Sequence, residues 1–206
     1  MYAIVTNNEI TKLINNPKAM VIGDVRYPAK IFQLWSQSEL NAIGIYEVIT
    51  NSTNFKDEKW YINTNESYAF ADNQVTRSWG TATPKAHADS LYTSQDNTDD
   101  LIPDDKSVGD VKTRGLKYNL IKDLKLQVSN ELAKTDWYIT RNTEKETAIP
   151  SAISTHRDAV RTKQAEMETA ITNASNTPAL ETLYTYTEQE DGSVTRPLGE
   201  LPTLEI

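Results

Sequence analysis

Apolar residues recur at helical spacing in two stretches of the C-terminal half. In the first stretch they return at every fourth position, which lines them up along one side of a helix: Leu116, Leu120, Leu124, Val128 and Leu132. In the second they return at every seventh position: Ile153, Val160, Met167 and Ala174. The pattern predicts two amphipathic helices, joined by a Trp-containing connection at 135–141. Each helix must bury its stripe against another element.

The two stripes can be buried within one chain or between copies of it. A seven-residue spacing is typical of a helix seam against a partner, but the pattern here spans only three repeats. The positions between them, His156, Lys163 and Ala170, are not uniformly apolar. We therefore expect packing within the chain, with a homo-oligomer in multiple copies as the alternative. His156 is either a polar register-setting residue in a seam or, as we expect, a surface histidine.

Residues 1–82 predict a β-rich α+β domain. Strand-like alternation at 2–6 and 9–14, around Asn7-Asn8, predicts a hairpin, because asparagine tolerates the positive φ of a tight turn. The run 36–39, Ser-Gln-Ser-Glu, has the capping-box pattern of a helix start, and Gly44 is placed to end that short helix.

Further strands are expected where β-branched and aromatic residues cluster, at 45–49, 60–62, 68–70 and 75–79. Together they predict a small antiparallel sheet. Its aromatic residues could form a platform that stacks on bases or sugars, but cross-strand packing within the sheet is the interpretation we favour.

The rest of the chain divides into three predicted segments. Residues 83–112 are rich in aspartate, threonine and asparagine and predict an acidic linker. The spacing of these carboxylates does not match a calcium-binding loop. Residues 113–176 hold the helical hairpin. Residues 177–206 predict a short helix, a β-hairpin around Glu190-Asp191-Gly192 and an extended tail, which could be an arm lying on a neighbour or a frayed end.

Composition narrows the possible partners. The chain has 206 residues, of which 38% are hydrophobic, and a net charge of −8, which disfavours nucleic acid and anionic membranes. There is no cysteine, so neither a disulfide nor a thiolate is available. The N-terminus lacks a basic start and a long apolar run, so we expect neither a signal peptide nor a membrane span.

Catalytic patterns are weak. The seven glycines form neither a phosphate-binding loop nor a dinucleotide fingerprint, and the only histidines are His87 and His156. Ser154, His156 and Asp158 carry the residue types of a hydrolase triad, but neighbours on one helix diverge around its axis and cannot converge on a substrate. We therefore expect no catalytic residues, no metal, no cofactor and no enzymatic activity.

Several short motifs occur in an order that resembles a group of small tailed-bacteriophage proteins. They lie at 1–8, 44–48, 135–141, 148–150, 157–162 and 196–200. The run 109–117, Gly-Asp-Val-Lys-Thr-Arg-Gly-Leu-Lys, is similar to versions from contractile-tailed phages of marine hosts. Proteins of this group are tail-fibre assembly proteins or virion components.

The resemblance implies a non-enzymatic structural part of a phage particle, at the tail, baseplate or fibre attachment. It also implies that the chain is assembled in the host cytoplasm, resides in the virion and has other phage structural proteins as partners. One alternative is a tail-fibre assembly chaperone that acts only during morphogenesis. Another is a carbohydrate-binding module that touches the host surface through Trp60, Trp79 or Trp137.

Candidate contact residues lie near the helical pair and in the tail: Trp137, Tyr138, Arg141, Arg157, Arg161, Pro197, Leu198 and Leu201. The two aromatic residues either anchor a partner or plug the open end of the helical hairpin, and we expect the plug. The three arginines either pair across an interface or solvate a helix face, and we expect solvation.

Overall fold

The computed structural model describes residues 1–204 and divides into two compact units, Met1–Thr83 and Pro84–Ile206. Helices make up 36% and strands 23% of the structure, which confirms the α+β class. The first unit contains β1 (Tyr2–Thr6), β2 (Glu9–Ile14), β3 (Met20–Ile22), β4 (Val25–Tyr27), α1 (Ile31–Leu34), α2 (Gln37–Ala42), β5 (Ile45–Thr50), β6 (Tyr61–Ile62), β7 (Ser67–Ala71) and β8 (Gln74–Ser78), and β9 (Thr83–Pro84) follows at its end.

The main sheet of the first unit has five strands in the order β2-β1-β5-β8-β7. The β1–β2 hairpin is confirmed, with Asn7 and Asn8 both at positive φ, and Asp72 and Asn73 form the same kind of turn between β7 and β8. The pair β5–β8 is parallel, so the sheet is mixed rather than wholly antiparallel as predicted. Parallel neighbours need a long connection, which residues 51–73 provide.

The predicted capping box of α2 is confirmed. The hydroxyl of Ser36 accepts a hydrogen bond from the Glu39 N–H, and the Glu39 carboxylate accepts one from the Ser36 N–H at 2.7 Å. Gly44 follows this helix with φ +81°, and a Cβ there would lie 2.7 Å from the Val5 carbonyl oxygen. Glycine is therefore required at this helix end. Helix α1 and the β3–β4 hairpin were not predicted from the sequence. Both help to cover the core around Ile31 and Leu40.

The second unit contains β10 (Ser90–Leu91), α3 (Ser94–Thr98), β11 (Val111–Thr113), α4 (Leu116–Ala133), α5 (Asp136–Lys145), α6 (Ser151–Asn173), α7 (Thr177–Tyr184), β12 (Thr187–Glu188) and β13 (Val194–Thr195). The segment predicted as an acidic linker, 83–112, therefore contains two paired strands and a short helix. Among residues 1–204, no helix is both long and apolar enough to span a bilayer.

Asp96 connects two elements of the 83–112 segment. Its carboxylate accepts hydrogen bonds from the N–H of Thr93 at 2.8 Å and from its hydroxyl at 2.7 Å, and it forms an ion pair with Lys112 of β11. The hydrogen bond from Lys112, together with those from Thr93, lowers the pKa of Asp96 to about 2. A buried, fully paired aspartate thus ties α3 to β11 in a stretch whose composition alone suggested a solvated linker.

Asp96→Asn is expected to destabilise the protein at neutral pH and much less in acid. The native pKa lies below the usual 3.8, so the stabilisation from the carboxylate is present above about pH 4 and is lost as the pH falls towards 2. Urea unfolding of both proteins, followed by circular dichroism across this range, measures the difference. A difference in unfolding free energy that stays constant down to the lowest pH would contradict the assignment.

The helical hairpin is confirmed, and its stripes are buried within one chain. Helices α4 and α6 pack against each other. All four members of the seven-residue pattern are buried, Ile153, Val160, Met167 and Ala174, and so are three members of the four-residue stripe, Leu120, Leu124 and Val128. Ile171, Leu180 and Leu198 complete this core. The predicted alternative, a seam buried only between copies, is not needed to cover these residues.

The C-terminal segment forms α7 and the predicted β12–β13 hairpin, whose turn includes Gly192 at φ +80°. The tail does not extend away from its unit at Leu198. This side chain is buried, and its N–H donates a hydrogen bond to the Leu183 carbonyl at 3.0 Å. The predicted arm is therefore anchored to its own chain as far as Leu198, because that leucine fills the core beside α7. Residues 205–206 of the predicted tail lie outside the described residues.

Candidate protein-contact surface

Arg157 joins the ends of three helices. Its Nη1 donates hydrogen bonds to the Leu132 carbonyl at 2.8 Å, to the Thr135 hydroxyl at 2.7 Å and to the Asp136 carboxylate at 2.9 Å. The Leu132 carbonyl belongs to the last turn of α4, where backbone oxygens lack helical partners and carry partial negative charge. Arg157 lies in α6 and Asp136 begins α5, so one guanidinium fixes the start of α5 on the α4–α6 pair.

His156 makes a second polar contact at the same junction. It is buried, and its Nε2 lies 3.3 Å from a carboxylate oxygen of Glu131 in α4. Lys134 forms an ion pair with the same carboxylate, and its hydrogen bond lowers the pKa of Glu131. The expectation of a surface histidine is wrong. His156 lies three residues after Ile153 and therefore on the buried side of α6.

Helix α5 presents an aromatic surface to solvent. None of its side chains is buried, and Trp137 is 52% exposed. The rings of Trp137 and Tyr138 lie with their centroids 3.8 Å apart and their planes tilted by 31°, and the Arg141 guanidinium lies 5.9 Å from the Trp137 ring. Ile139 is also exposed. We refer to Trp137, Tyr138, Ile139 and Arg141 as the α5 surface.

The expectation that the aromatic pair plugs the hairpin is wrong for Trp137. The 135–141 connection enters a helix at Asp136, and the Trp137 side chain on this helix is 52% exposed rather than packed against the hairpin. Tyr138 is half-buried, so only part of its ring contributes to the exposed surface.

The other candidate residues fall into different environments. Arg161 is exposed and pairs only loosely, at 3.3 Å, with Asp158 one turn earlier in the same helix, as a solvated arginine would. The prediction of solvation is wrong for Arg157, which is only 8% exposed, because the ends of α4 and α5 enclose it. Pro197 is exposed and Leu201 is half-buried. The structure thus links Trp137, Tyr138 and Arg141 on one helix but places Leu198 in the core.

The hydrogen-bond acceptors of Arg157 were not predicted from the sequence. Leu132, Thr135 and Asp136 lie 21 to 25 positions away from it, and no local motif connects them. The exposure of the apolar residue Ile139 was not predicted either. The one available signal was the polar pair Thr135-Asp136 at the start of the connection, because such residues commonly begin a helix.

The two candidate tryptophans of the first unit, Trp60 and Trp79, are less exposed to solvent than Trp137. Trp60 is buried. The Trp79 ring is half-buried, packs edge-on against Phe55 at 4.8 Å and lies under the Arg77 guanidinium at 4.4 Å. Within residues 1–204, no group of three or more histidines and carboxylates is placed to hold a metal ion. Of the three tryptophans considered as contact residues, Trp137 on the α5 surface is therefore the most exposed.

Comparisons of the chain with protein-family models, with curated proteins and with solved structures found no match. The α5 surface combines tryptophan, tyrosine and arginine, which are residue types enriched at protein interfaces. Tryptophan, tyrosine and arginine contribute disproportionately to binding energy at interfaces. An exposed tryptophan on a fixed helix also loses little conformational entropy when a partner covers it.

Proposed function

We propose that this chain is a non-enzymatic structural component of a tailed-bacteriophage particle, at the tail, baseplate or fibre attachment, and that it works through protein-protein contacts. The ordered motifs that resemble small phage tail proteins support the particle as its location. The observation that carries the contact role is the exposed Trp137 on a helix held in place by Arg157.

A contact role accounts for features that folding alone does not require. An exposed tryptophan leaves apolar area in water, which is unfavourable unless another surface covers it. The Arg157 hydrogen bonds fix the helix that carries this side chain, so the surface is formed before a partner arrives. Preorganisation of this kind increases affinity because less motion is lost on binding.

Quantitative mass spectrometry of purified particles tests the location. We expect the chain at a constant ratio to the other structural proteins, preparation after preparation. If the chain is abundant in infected cells but missing from finished particles, the assembly-chaperone alternative replaces the structural one. In either case the α5 surface would be the contact region.

Trp137→Ala is expected to weaken assembly without unfolding the chain. A tryptophan at the centre of an interface commonly contributes about 2 kcal/mol or more, which corresponds to roughly a 30-fold loss of affinity. Tagged wild-type and variant chains expressed together compete for the same positions, and their ratio in particles relative to the lysate reports the loss.

Leu34→Ala is the matched control for this competition. Leu34 is a large exposed apolar residue in α1 of the first unit, so its truncation removes a similar kind of exposed side chain but leaves the residues of α5 unchanged. We expect the Leu34 variant to enter particles as efficiently as the wild type. Equal incorporation of the Trp137 variant would contradict the contact role of the α5 surface.

The carbohydrate-binding alternative now depends on one residue. Trp60 is buried and Trp79 is covered by Phe55 and Arg77, so of the three tryptophans considered Trp137 presents the most accessible ring. Aromatic rings stack on sugar faces only where the ring is accessible. Binding of host surface glycans that is abolished by Trp137→Ala, with no effect on particle assembly, would support this alternative over the structural role.

A further inference from the structure

The second unit carries an acidic segment with an apolar centre. Residues 99–105 read Asp-Asp-Leu-Ile-Pro-Asp-Asp, and Leu101 between the two aspartate pairs is 57% exposed. Two backbone hydrogen bonds of 2.9 Å hold its shape, from the Leu101 N–H to the Asp96 carbonyl and from the Lys106 N–H to the Pro103 carbonyl. The segment therefore presents a leucine flanked by carboxylates on a defined backbone.

The same unit carries a groove of opposite character on α4. It has a volume of about 300 Å³ and is lined by Tyr118, Ile121, Lys122 and Lys125, with no carboxylate among them. Tyr118 is 42% exposed. Lys122 forms no ion pair with any residue in 1–204, and the Lys125 ammonium lies a long 3.8 Å from Glu168. We call these four residues the basic groove.

We propose that the acidic segment of one copy of this chain docks in the basic groove of another. Both surfaces combine apolar side chains with charged ones, and the charges are opposite in sign. Lys122 and Lys125 bring two positive charges together at this groove in a chain of net charge −8, whose copies repel one another on average. A second copy supplies four aspartates and a leucine in one short segment, which complement the lysines and the apolar side chains of the groove.

The two surfaces involve different residues, so the contact is head-to-tail. Such an interface leaves one groove and one acidic segment free after every addition, and it continues into a ring or a filament. A single loop in a groove buries less than a standard interface, so we expect weak, salt-sensitive association. This inference rests on the proposed function in one respect, which is that a particle brings several copies side by side.

Charge reversal with mixing tests the proposal. Sedimentation equilibrium of the full chain at low salt is expected to give a weight-average mass that rises past that of a dimer with concentration, and that falls when salt is added. Lys122→Glu/Lys125→Glu places like charges against the acidic segment, and Asp104→Lys/Asp105→Lys places like charges against the groove. Each variant alone is expected to associate more than about tenfold more weakly than the wild type.

An equimolar mixture of the two variants is expected to recover the association. In the mixture, the reversed groove of one variant meets the reversed segment of the other, and the unchanged groove and segment also meet. Lys12→Glu/Lys18→Glu changes two exposed lysines of the first unit and gives the same change in net charge as Lys122→Glu/Lys125→Glu, so we expect it to associate like the wild type. Circular dichroism of each variant confirms that it is folded.

Three results would overturn the proposal: a wild-type mass that stays monomeric at all concentrations, association that neither charge reversal weakens, or folded variants whose mixture remains monomeric. None of these results bears on whether the chain is present in purified particles. Failure of this contact can therefore be distinguished from failure of the proposed structural role.

Discussion

Arg157→Met is expected to lower the free energy of unfolding by about 3 kcal/mol. Methionine keeps much of the apolar stem of the arginine but has no donor. The buried Thr135 hydroxyl and the Leu132 carbonyl would each lose a charged hydrogen-bond donor, and the Asp136 carboxylate would lose its ion pair. Urea unfolding followed by the helical circular dichroism signal measures the total loss.

The loss of stability in Arg157→Met should be concentrated in α5. Because Arg157 fixes the first residue of this helix, amide hydrogens of α5 are expected to exchange faster in the variant, with a smaller change in the middle of α6. Arg161→Met is the control, since Arg161 lies one turn further along α6 and is exposed, and its replacement should change stability by less than about 0.5 kcal/mol. Equal stabilities of the two variants would show that the Arg157 hydrogen bonds do not hold the helices.

Elements with a local signal were predictable from the sequence. Asn7-Asn8 encodes the first hairpin because two consecutive positive φ angles are needed there, and the Ser36–Glu39 capping box marks the start of α2. The stripes of α4 and α6 were recognisable because helical periodicity is repeated over many residues. In each case the deciding interaction lies within a few residues or recurs at a fixed spacing.

The burial of His156 and Arg157 was not predicted, although a signal was present. Ile153, His156, Arg157 and Val160 follow the spacing of one buried helix face, at positions separated by three, four and seven residues. Their polar identity concealed the pattern, because charged residues are rarely buried without partners. Those partners are provided by the ends of α4 and α5, whose approach depends on the tertiary fold rather than on any neighbouring sequence.

The exposed position of Trp137 also could not be predicted from neighbouring sequence. Its environment follows from whether residues 135–141 form a loop or a helix, and a short polar-aromatic run is compatible with either.

The predicted linker at 83–112 proved to be more ordered than its composition indicates. Its composition resembles a linker, but Asp96 forms a capping box with Thr93 and an ion pair with Lys112, which lies 16 positions away. Composition could not reveal that single long-range contact.

Ile171→Ala is expected to destabilise the protein by about 3 kcal/mol. The Ile171 side chain is completely buried, between Met167 of α6 and Ala174 just after this helix, in the core that also includes Leu180. Removing three carbon atoms there loses their burial and leaves a cavity, because the two long helices cannot move together without disturbing the rest of the stripe. Urea unfolding followed by circular dichroism measures the loss.

The concentration at which this loss appears distinguishes an intramolecular seam from one between copies. Since Ile171 is covered within one chain, the destabilisation should be complete in a dilute, monomeric sample. Thr172→Ala changes the adjacent, exposed residue of α6 and should alter stability by no more than about 0.5 kcal/mol. A loss for Ile171→Ala that is small in monomer and grows as chains associate would mean that the stripe is buried by other copies, and the single-chain core described here would be incorrect.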